Sequence, residues 1–219
     1  MPADVVWTLD GDETSWSEWA AARAVAGPSP LVRELIGAHP AVDAAWALDL
    51  GCGTGRAFAP LVQVGYCVLG VDPTRQAVAC ARERAAREGL LAWPLQGSAA
   101  HLPLAAGTIR FLFALGTLYH LGARELVDAL AEVRRVLCPG GRAVLHFLDV
   151  DDWRVALAPR IQAGQVPEPG YRAVVTCFAS QQAIRRWLEE AGLEILSLEL
   201  RTSDSEAGTL RNWVATCAG

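Results

Sequence analysis

Between residues 45 and 150, short apolar bursts alternate with amphipathic stretches, and this rhythm restricts the fold more than any single residue does. Ala45 to Leu50 reads as a buried strand, Arg56 to Val64 as a helix and Cys67 to Val71 as a second strand. Thr74 is placed to cap a helix running to Glu88, with Gly89 as its stop. Leu91 to Gln96 reads as a third strand despite Pro94, and Ile109 to Leu115 as a fourth, apolar enough for the middle of a sheet. Glu125 to Leu137 follows as a helix, Pro139-Gly140-Gly141 as a turn and Ala143 to Leu148 as a fifth strand. Such alternation builds right-handed βαβ units, and hence a parallel sheet covered on both faces.

The flanks read differently. Ser15 to Ala26 and Leu31 to Ala38 suggest two helices packed before the sheet begins. Residues 150–172, rich in Pro and Gly, read as an inserted loop with one helix at most. Ser180 is a plausible N-cap for a helix over Gln181 to Ala191, stopped by Gly192. Leu193 to Leu200 and Asn212 to Cys217 are strands with Thr202-Ser203-Asp204-Ser205 as the turn between them. No helix separates them, so they form an antiparallel hairpin at the end of the sheet. The expected fold is a doubly wound, Rossmann-like α/β domain with a seven-stranded sheet, mostly parallel, closed by that C-terminal hairpin.

Three glycines, Gly51, Gly53 and Gly55, end the first strand and open the following helix. Glycine loses the most backbone freedom on folding, so three together suggest that something comes close to the backbone. Ligands of open α/β sheets bind at the carboxyl ends of strands, near the switch in strand order. Amides at a helix start attract anions, and Asp72, ending the second strand, is suited to a ribose diol. A nucleoside with an anionic arm therefore fits. A dinucleotide needs a glycine one residue later, where this chain has Arg56. That counts against a nicotinamide cofactor without excluding one.

The loop and its surroundings resemble the class I S-adenosylmethionine-dependent methyltransferases, in the type 11 branch with small-molecule substrates. "LDLGCGTGR" (48–56) is similar to the family's first motif and "GVDPT" (70–74) to its acidic second motif. Gly97 to Leu121, Glu132 to Leu145 and Trp187 to Leu196 are similar to its later segments, so the resemblance runs over nearly the whole chain. It implies S-adenosylmethionine as cofactor. Gly51, Cys52, Gly53 and Gly55 would carry the methionine arm, Asp49 would orient its ammonium and Asp72 would hold the ribose hydroxyls. Pro73, Ser98 and Ala99 would flank the adenine, with Ser98 where the family has Asp. Leu115 and Gly116 would line the sulfonium side. On the first helix Trp16, Trp19 and Arg23 share one face, from which Trp16 and Arg23 would close over the cofactor. His120 is the candidate base and Tyr119 the candidate acceptor-orienting group. His101 reads as a loop residue near the adenine and His146 as a core histidine with its hydrogen bonds made. Trp153, Arg160 and Tyr171 would roof the acceptor pocket.

Composition bounds the remaining expectations. The whole of 1–219 is expected to be one domain: a helical cap over 1–40, a cofactor-binding core over 45–149, an insert near the acceptor over 150–172, and a helix and hairpin over 180–219. The net charge is −5 and all 19 basic side chains are arginines, without a basic stripe, so no nucleic-acid partner is expected. Six scattered cysteines form no metal pattern. No apolar run reaches the ~18 residues that span a bilayer, and Met1 to Asp12 lacks the features of a secretory leader. A cytoplasmic location and no membrane partner are expected, with monomer and homodimer both open. Two other functions also stay open: a nicotinamide-dependent oxidoreductase and a non-catalytic binding protein with a methyltransferase fold.

Overall fold

The computed structural model describes residues 4–8, 16–17, 20, 25–157, 176–206 and 208–219. Nine strands form one sheet. They are β1 (Val5–Thr8), β2 (Ala45–Leu50), β3 (Tyr66–Asp72), β4 (Ala92–Gln96), β5 (Ile109–Ala114), β6 (Leu137–Asp149), β7 (Thr176–Ala179), β8 (Glu194–Ser205) and β9 (Gly208–Ala218). Their order is β1-β7-β6-β5-β2-β3-β4, with β9 antiparallel to β6 and β8 antiparallel to β9. Pairs β2/β3, β2/β5, β3/β4, β5/β6 and β6/β7 are parallel.

Among the described residues, the helices with defined bounds are α1 (Pro30–Gly37), α2 (Phe58–Gln63), α3 (Arg75–Glu88), α4 (Ala123–Val136) and α5 (Gln181–Glu190). Strand alternation splits the core in two. Phe111 and Phe113 of β5 join Ala47, Phe58, Ala81 and Ile36 on one face. Leu112 and Ala114 join Leu48, Leu126, Leu130 and Ile184 on the other. Period-2 side chains thus bury α1, α2 and α3 against one face and α4 and α5 against the opposite one. The doubly wound reading holds.

All seven expected strands are present, and two more are added. β1 pairs antiparallel with β7, and β7 takes up the last two residues of β6. Each is only four residues long, too short to show a period; β7 finds its partner at the end of β6, and β1 finds its own on β7. Val5–Thr8 also corrects the purely helical reading of residues 1–40, whose expected first helix lies largely outside the described residues. α1 is confirmed, with the Ser29 hydroxyl accepting from Val32 N at 3.3 Å. Ser180 caps α5 as expected, its Oγ accepting from Ala183 N at 3.1 Å. Thr74 occupies the N-cap position of α3, yet its side chain makes no capping bond.

Two expected turns lie inside strands. Pro139-Gly140-Gly141 is a bulge within β6, because Ile109 pairs with Leu137 while Phe111 pairs with Arg142. A Cβ on Gly141 would lie 2.9 Å from the Cys138 carbonyl oxygen, so glycine lets the bulge fold back on itself. Thr202 to Ser205 belongs to β8, and the pairing continues to Ser205 opposite Gly208. Thr209 Oγ1 donates to Asp204 at 2.8 Å, so polar cross-strand pairs hold a ribbon that the composition alone reads as a loop. Of the expected insert, the structure describes a short 3₁₀ turn, Trp153–Leu157.

Candidate functional site

The chain leaves β2 toward β3 on one side and reaches β5 on the other, so β2 marks the reversal of strand order. At its carboxyl end lies a cavity of about 550 Å³. It is lined by Asp49, Gly51, Cys52, Gly53, Asp72, Pro73, Ser98, Ala99, Leu115, Gly116, Tyr119, His120 and Trp16, all predicted site residues. Gly55 is not on its wall, and Arg23 lies outside the described residues.

The glycine loop is shaped mostly by its own protein. Gly51, Gly53 and Gly55 all have positive φ, at 69°, 52° and 74°, where a side chain is strained. A Cβ on Gly51 would fall 2.1 Å from Thr117 Oγ1, and one on Gly55 would fall 2.7 Å from the Phe58 ring. Thr117 uses that space to donate to the Leu50 carbonyl at 2.8 Å, tying the end of β2 to the loop after β5. Gly55 thus packs against the Phe58 ring, off the cavity wall where the other two glycines lie.

The loop amides are spent as well. Gly51 N and Cys52 N donate to Val71 O at 2.7 and 3.1 Å. Gly53 N donates to Asp72 Oδ2 at 2.9 Å, and Thr74 N to Asp72 Oδ1 at 2.9 Å. The expectation that these amides await an anion is therefore wrong for 51–53. A pyrophosphate finds no donors there, whereas Asp72, which also accepts from the Thr74 side chain, still lines the cavity with acceptor capacity left for a hydroxyl.

Two carboxylates face this end of the cavity. Asp49 and Asp72 are 5% and 8% exposed. Burial pushes Asp49 up to about 7, Asp72 adds to the rise and Arg56 opposes it. Asp72 is raised by burial, which its bonds from Thr74 and Gly53 partly offset. The Cys52 thiol is also pushed up by burial, with the two carboxylates adding to the effect. This wall favours a cation.

Opposite, after β5, a 3₁₀ turn (Leu118–His120) presents a row of rings. Trp16 meets the His120 ring edge-on at 4.8 Å, and His120 lies 4.3 Å from Tyr119. Tyr119 in turn meets His146 edge-on at 5.4 Å. The Tyr119 hydroxyl reaches over Gly116, 3.5 Å from where a Cβ would stand, and burial raises its pKa.

His146 is a buried core histidine, 7% exposed, and the Asn212 side chain of β9 is its hydrogen-bonding neighbour, in a contact too poorly aligned to satisfy either ring nitrogen fully. Burial and the nearby Arg154 charge lower it to about 4, so it is neutral. His101 is exposed and lies off the cavity wall.

Ser98 Oγ accepts from Ala100 N at 3.2 Å, which folds the loop carrying Ala99. That loop is braced by Glu132, which accepts from Leu102 N at 2.7 Å, and by Arg135, which donates to Leu104 O at 2.8 Å. Beyond β6, Asp149 accepts from Arg211 and from the Trp213 indole, and Asp152 accepts from Arg154 and Arg211 N. Trp153, expected in the roof, packs its Cβ against Gly208 instead. Arg160 and Tyr171 lie outside the described residues.

The sequence reading missed Arg56, Thr117 and Glu125, which also line the cavity. Arg56 directly follows the glycine loop, and Thr117 directly follows the predicted Leu115-Gly116 pair, so adjacency to those motifs was the available signal.

Residues 48–145 match the family model described as a methyltransferase domain. A tRNA U34 carboxymethyltransferase from Alcanivorax borkumensis is 30% identical over 185 residues, covering 82% of this chain and 51% of that protein. The chain spans about half the length of the curated relatives it matches. Among solved structures, the CcbJ methyltransferase from Streptomyces caelestis superposes with a TM-score of 0.72 at 25% identity, covering 95% of this chain and 99% of that one. The 1,6-didemethyltoxoflavin-N1-methyltransferase from Burkholderia thailandensis, solved with S-adenosylhomocysteine, gives 0.68 at 17% identity over 93% and 83%. Among the described residues, no helix is long and apolar enough to cross a membrane.

Proposed function

We propose that this chain is a class I S-adenosylmethionine-dependent methyltransferase acting on a small-molecule acceptor, a reading supported by the match of residues 48–145 to the methyltransferase-domain model. The observation that carries the reading is the wall at the ends of β2 and β3: its loop amides are spent and its two buried carboxylates face an open cavity. That wall suits an adenosine with a cationic amino-acid tail and disfavours a dinucleotide, whose pyrophosphate needs free amides. When bound, S-adenosylmethionine would supply its methyl group by in-line displacement at the methyl carbon, with the sulfonium sulfur leaving as a neutral thioether.

The chain's residues bind, orient and exclude water. Asp72 takes the ribose hydroxyls, Asp49 the ammonium, and Pro73, Ser98 and Ala99 the adenine. Leu115 and Gly116 lie beside the methyl, with Tyr119 and His120 on the acceptor side. Orientation of this kind is worth ~7–11 kcal/mol of barrier. His120 takes a proton from acceptors that must lose one. We read 1–219 as one domain, with cofactor core and acceptor-side flanks as expected, working in the cytoplasm, where its six free thiols suit a reducing medium.

A second reading, a tRNA acceptor, is favoured by the relatives named above. The cavity wall opposes it, because Asp49, Asp72 and Glu125 stand against one guanidinium, Arg56, whereas RNA binding rests on phosphate contacts. Titration calorimetry with S-adenosylhomocysteine tests the cofactor, and micromolar one-to-one binding is expected. No heat would remove the reading. Filter binding of bulk tRNA tests the acceptor class, and tight, salt-sensitive retention would replace the small molecule with tRNA.

A further inference from the structure

Once Asp72 and Asp49 are given to the cofactor, the carboxylate of Glu125 is left on the cavity wall without a task. Glu125 stands in the first turn of α4, just after the 3₁₀ turn that carries His120. Its Oε2 accepts from Gly122 N at 3.1 Å, and its other oxygen has no partner among the described residues. The same wall holds the rings of Trp16, His120 and Tyr119, spaced 4.8 and 4.3 Å apart in that order, together with Leu115 and Leu121. Two guanidinium charges are felt at Tyr119, those of Arg154 and Arg56. Arg154 is held by Asp152 through bonds of 2.7 and 2.9 Å, and Arg56 also faces Asp49. Both are therefore answered elsewhere. Aromatic rings attract a cation through their quadrupoles, and the unanswered carboxylate adds to that pull while repelling an anion.

On the reading that this is an S-adenosylmethionine-dependent methyltransferase, we propose that its acceptor is an amine on an apolar or aromatic body, and that Glu125 is the residue that selects it. Such an amine arrives protonated, because its ordinary pKa lies near that of lysine, about 10. Glu125 and the three rings hold the ammonium. One N–H proton passes to the His120 imidazole, which releases the nitrogen lone pair. That pair forms the new N–C bond at the methyl carbon as the S–C bond breaks, and the electrons of the broken bond stay on sulfur as a neutral thioether. The product leaves as the methylated ammonium, and His120 returns its proton to solvent.

The test is binding, read by calorimetry on the whole chain saturated with S-adenosylhomocysteine. The probes are 2-phenylethylamine, 2-phenylethanol and phenylacetate, which share a shape and differ in charge. We expect the amine to bind about tenfold more tightly than the alcohol or better, with the carboxylate weakest. Glu125→Gln removes the charge and keeps the helix cap, so it should lower the amine's affinity about three- to tenfold and leave the alcohol's unchanged. A residue serving only α4 would shift both probes alike, and that result would overturn the role of Glu125. Equal binding of amine and alcohol, tightest binding of the carboxylate, or binding of none of the three would overturn the proposal. If S-adenosylhomocysteine itself does not bind, the cofactor reading and this one fall together; if it binds and the amine has no advantage, only this one does. Should the variant not fold, the three probes on the wild-type chain decide alone.

Discussion

The two walls of the cavity are built by different means. At the ends of β2 and β3 the backbone does the work: amides of Gly51, Cys52 and Gly53 close on Val71 O and Asp72, and Thr117 fills the space beside Gly51. After β5 the wall is a row of side chains, Trp16, His120 and Tyr119, ending inward on the buried His146 beside Asn212. A backbone-built wall fixes one ligand shape and tolerates little change. A ring-built wall can be refitted to a new acceptor by substitution.

The largest effect should come from breaking the first wall. Asp72→Ala removes two charge-assisted bonds and should cost about 3–5 kcal/mol of stability, with S-adenosylhomocysteine binding lost in calorimetry. Unchanged folding would show that the carboxylate does not tie the loop to α3. Next, Gly51→Ala forces a side chain into positive φ and against Thr117, at about 2–4 kcal/mol. Adding Thr117→Ala should recover part of that loss in chemical denaturation, and no recovery would deny the contact its role.

The second wall should respond more weakly. His146→Phe removes a buried imidazole together with its poorly aligned Asn212 contact, two opposing effects, and should change stability at neutral pH by no more than about 1 kcal/mol, or roughly 2–4 °C in Tm for each kcal/mol. The sign of its pH dependence follows from the lowered pKa. The unfolded chain binds the proton first, so wild-type stability falls as pH drops from 6.5 toward about 4. The variant should lose less over that window, and an identical acid profile would mean that His146 is not the group responsible. The smallest effect belongs to Arg110→Ala. Arg110 is exposed and bonds only the Pro139 carbonyl among the contacts described, at 3.2 Å. Its removal should shift stability by no more than ~0.5 kcal/mol and leave ligand binding intact, so a larger loss would place Arg110 in a role the structure does not show.

The same contrast explains what the sequence disclosed. Gly51, Gly53 and Asp72 were legible because backbone geometry leaves a local signature: positive φ demands glycine, and a strand end followed by a helix places a carboxylate. The reason for the glycines was not legible, since Thr117 and Phe58 reach Gly51 and Gly55 through the fold rather than along the chain. The seven core strands followed from apolar periodicity. β1 and β7 did not, because four residues carry no period and their partner is chosen in three dimensions. The ring wall was half visible: Tyr119 and His120 follow β5 directly, whereas the condition of His146 depends on which atoms its neighbours on β9 and the 3₁₀ turns present.

The central claim is that the space above Gly51 to Gly53 receives an adenosine with an amino-acid tail. A crystal structure of the chain grown with S-adenosylhomocysteine tests it most directly. The account predicts the ribose hydroxyls on Asp72, the amino group toward Asp49 and the sulfur beside Leu115 and Gly116. Ligand density elsewhere, or a loop at 51–53 closed over its own side chains with the ligand excluded, would contradict it.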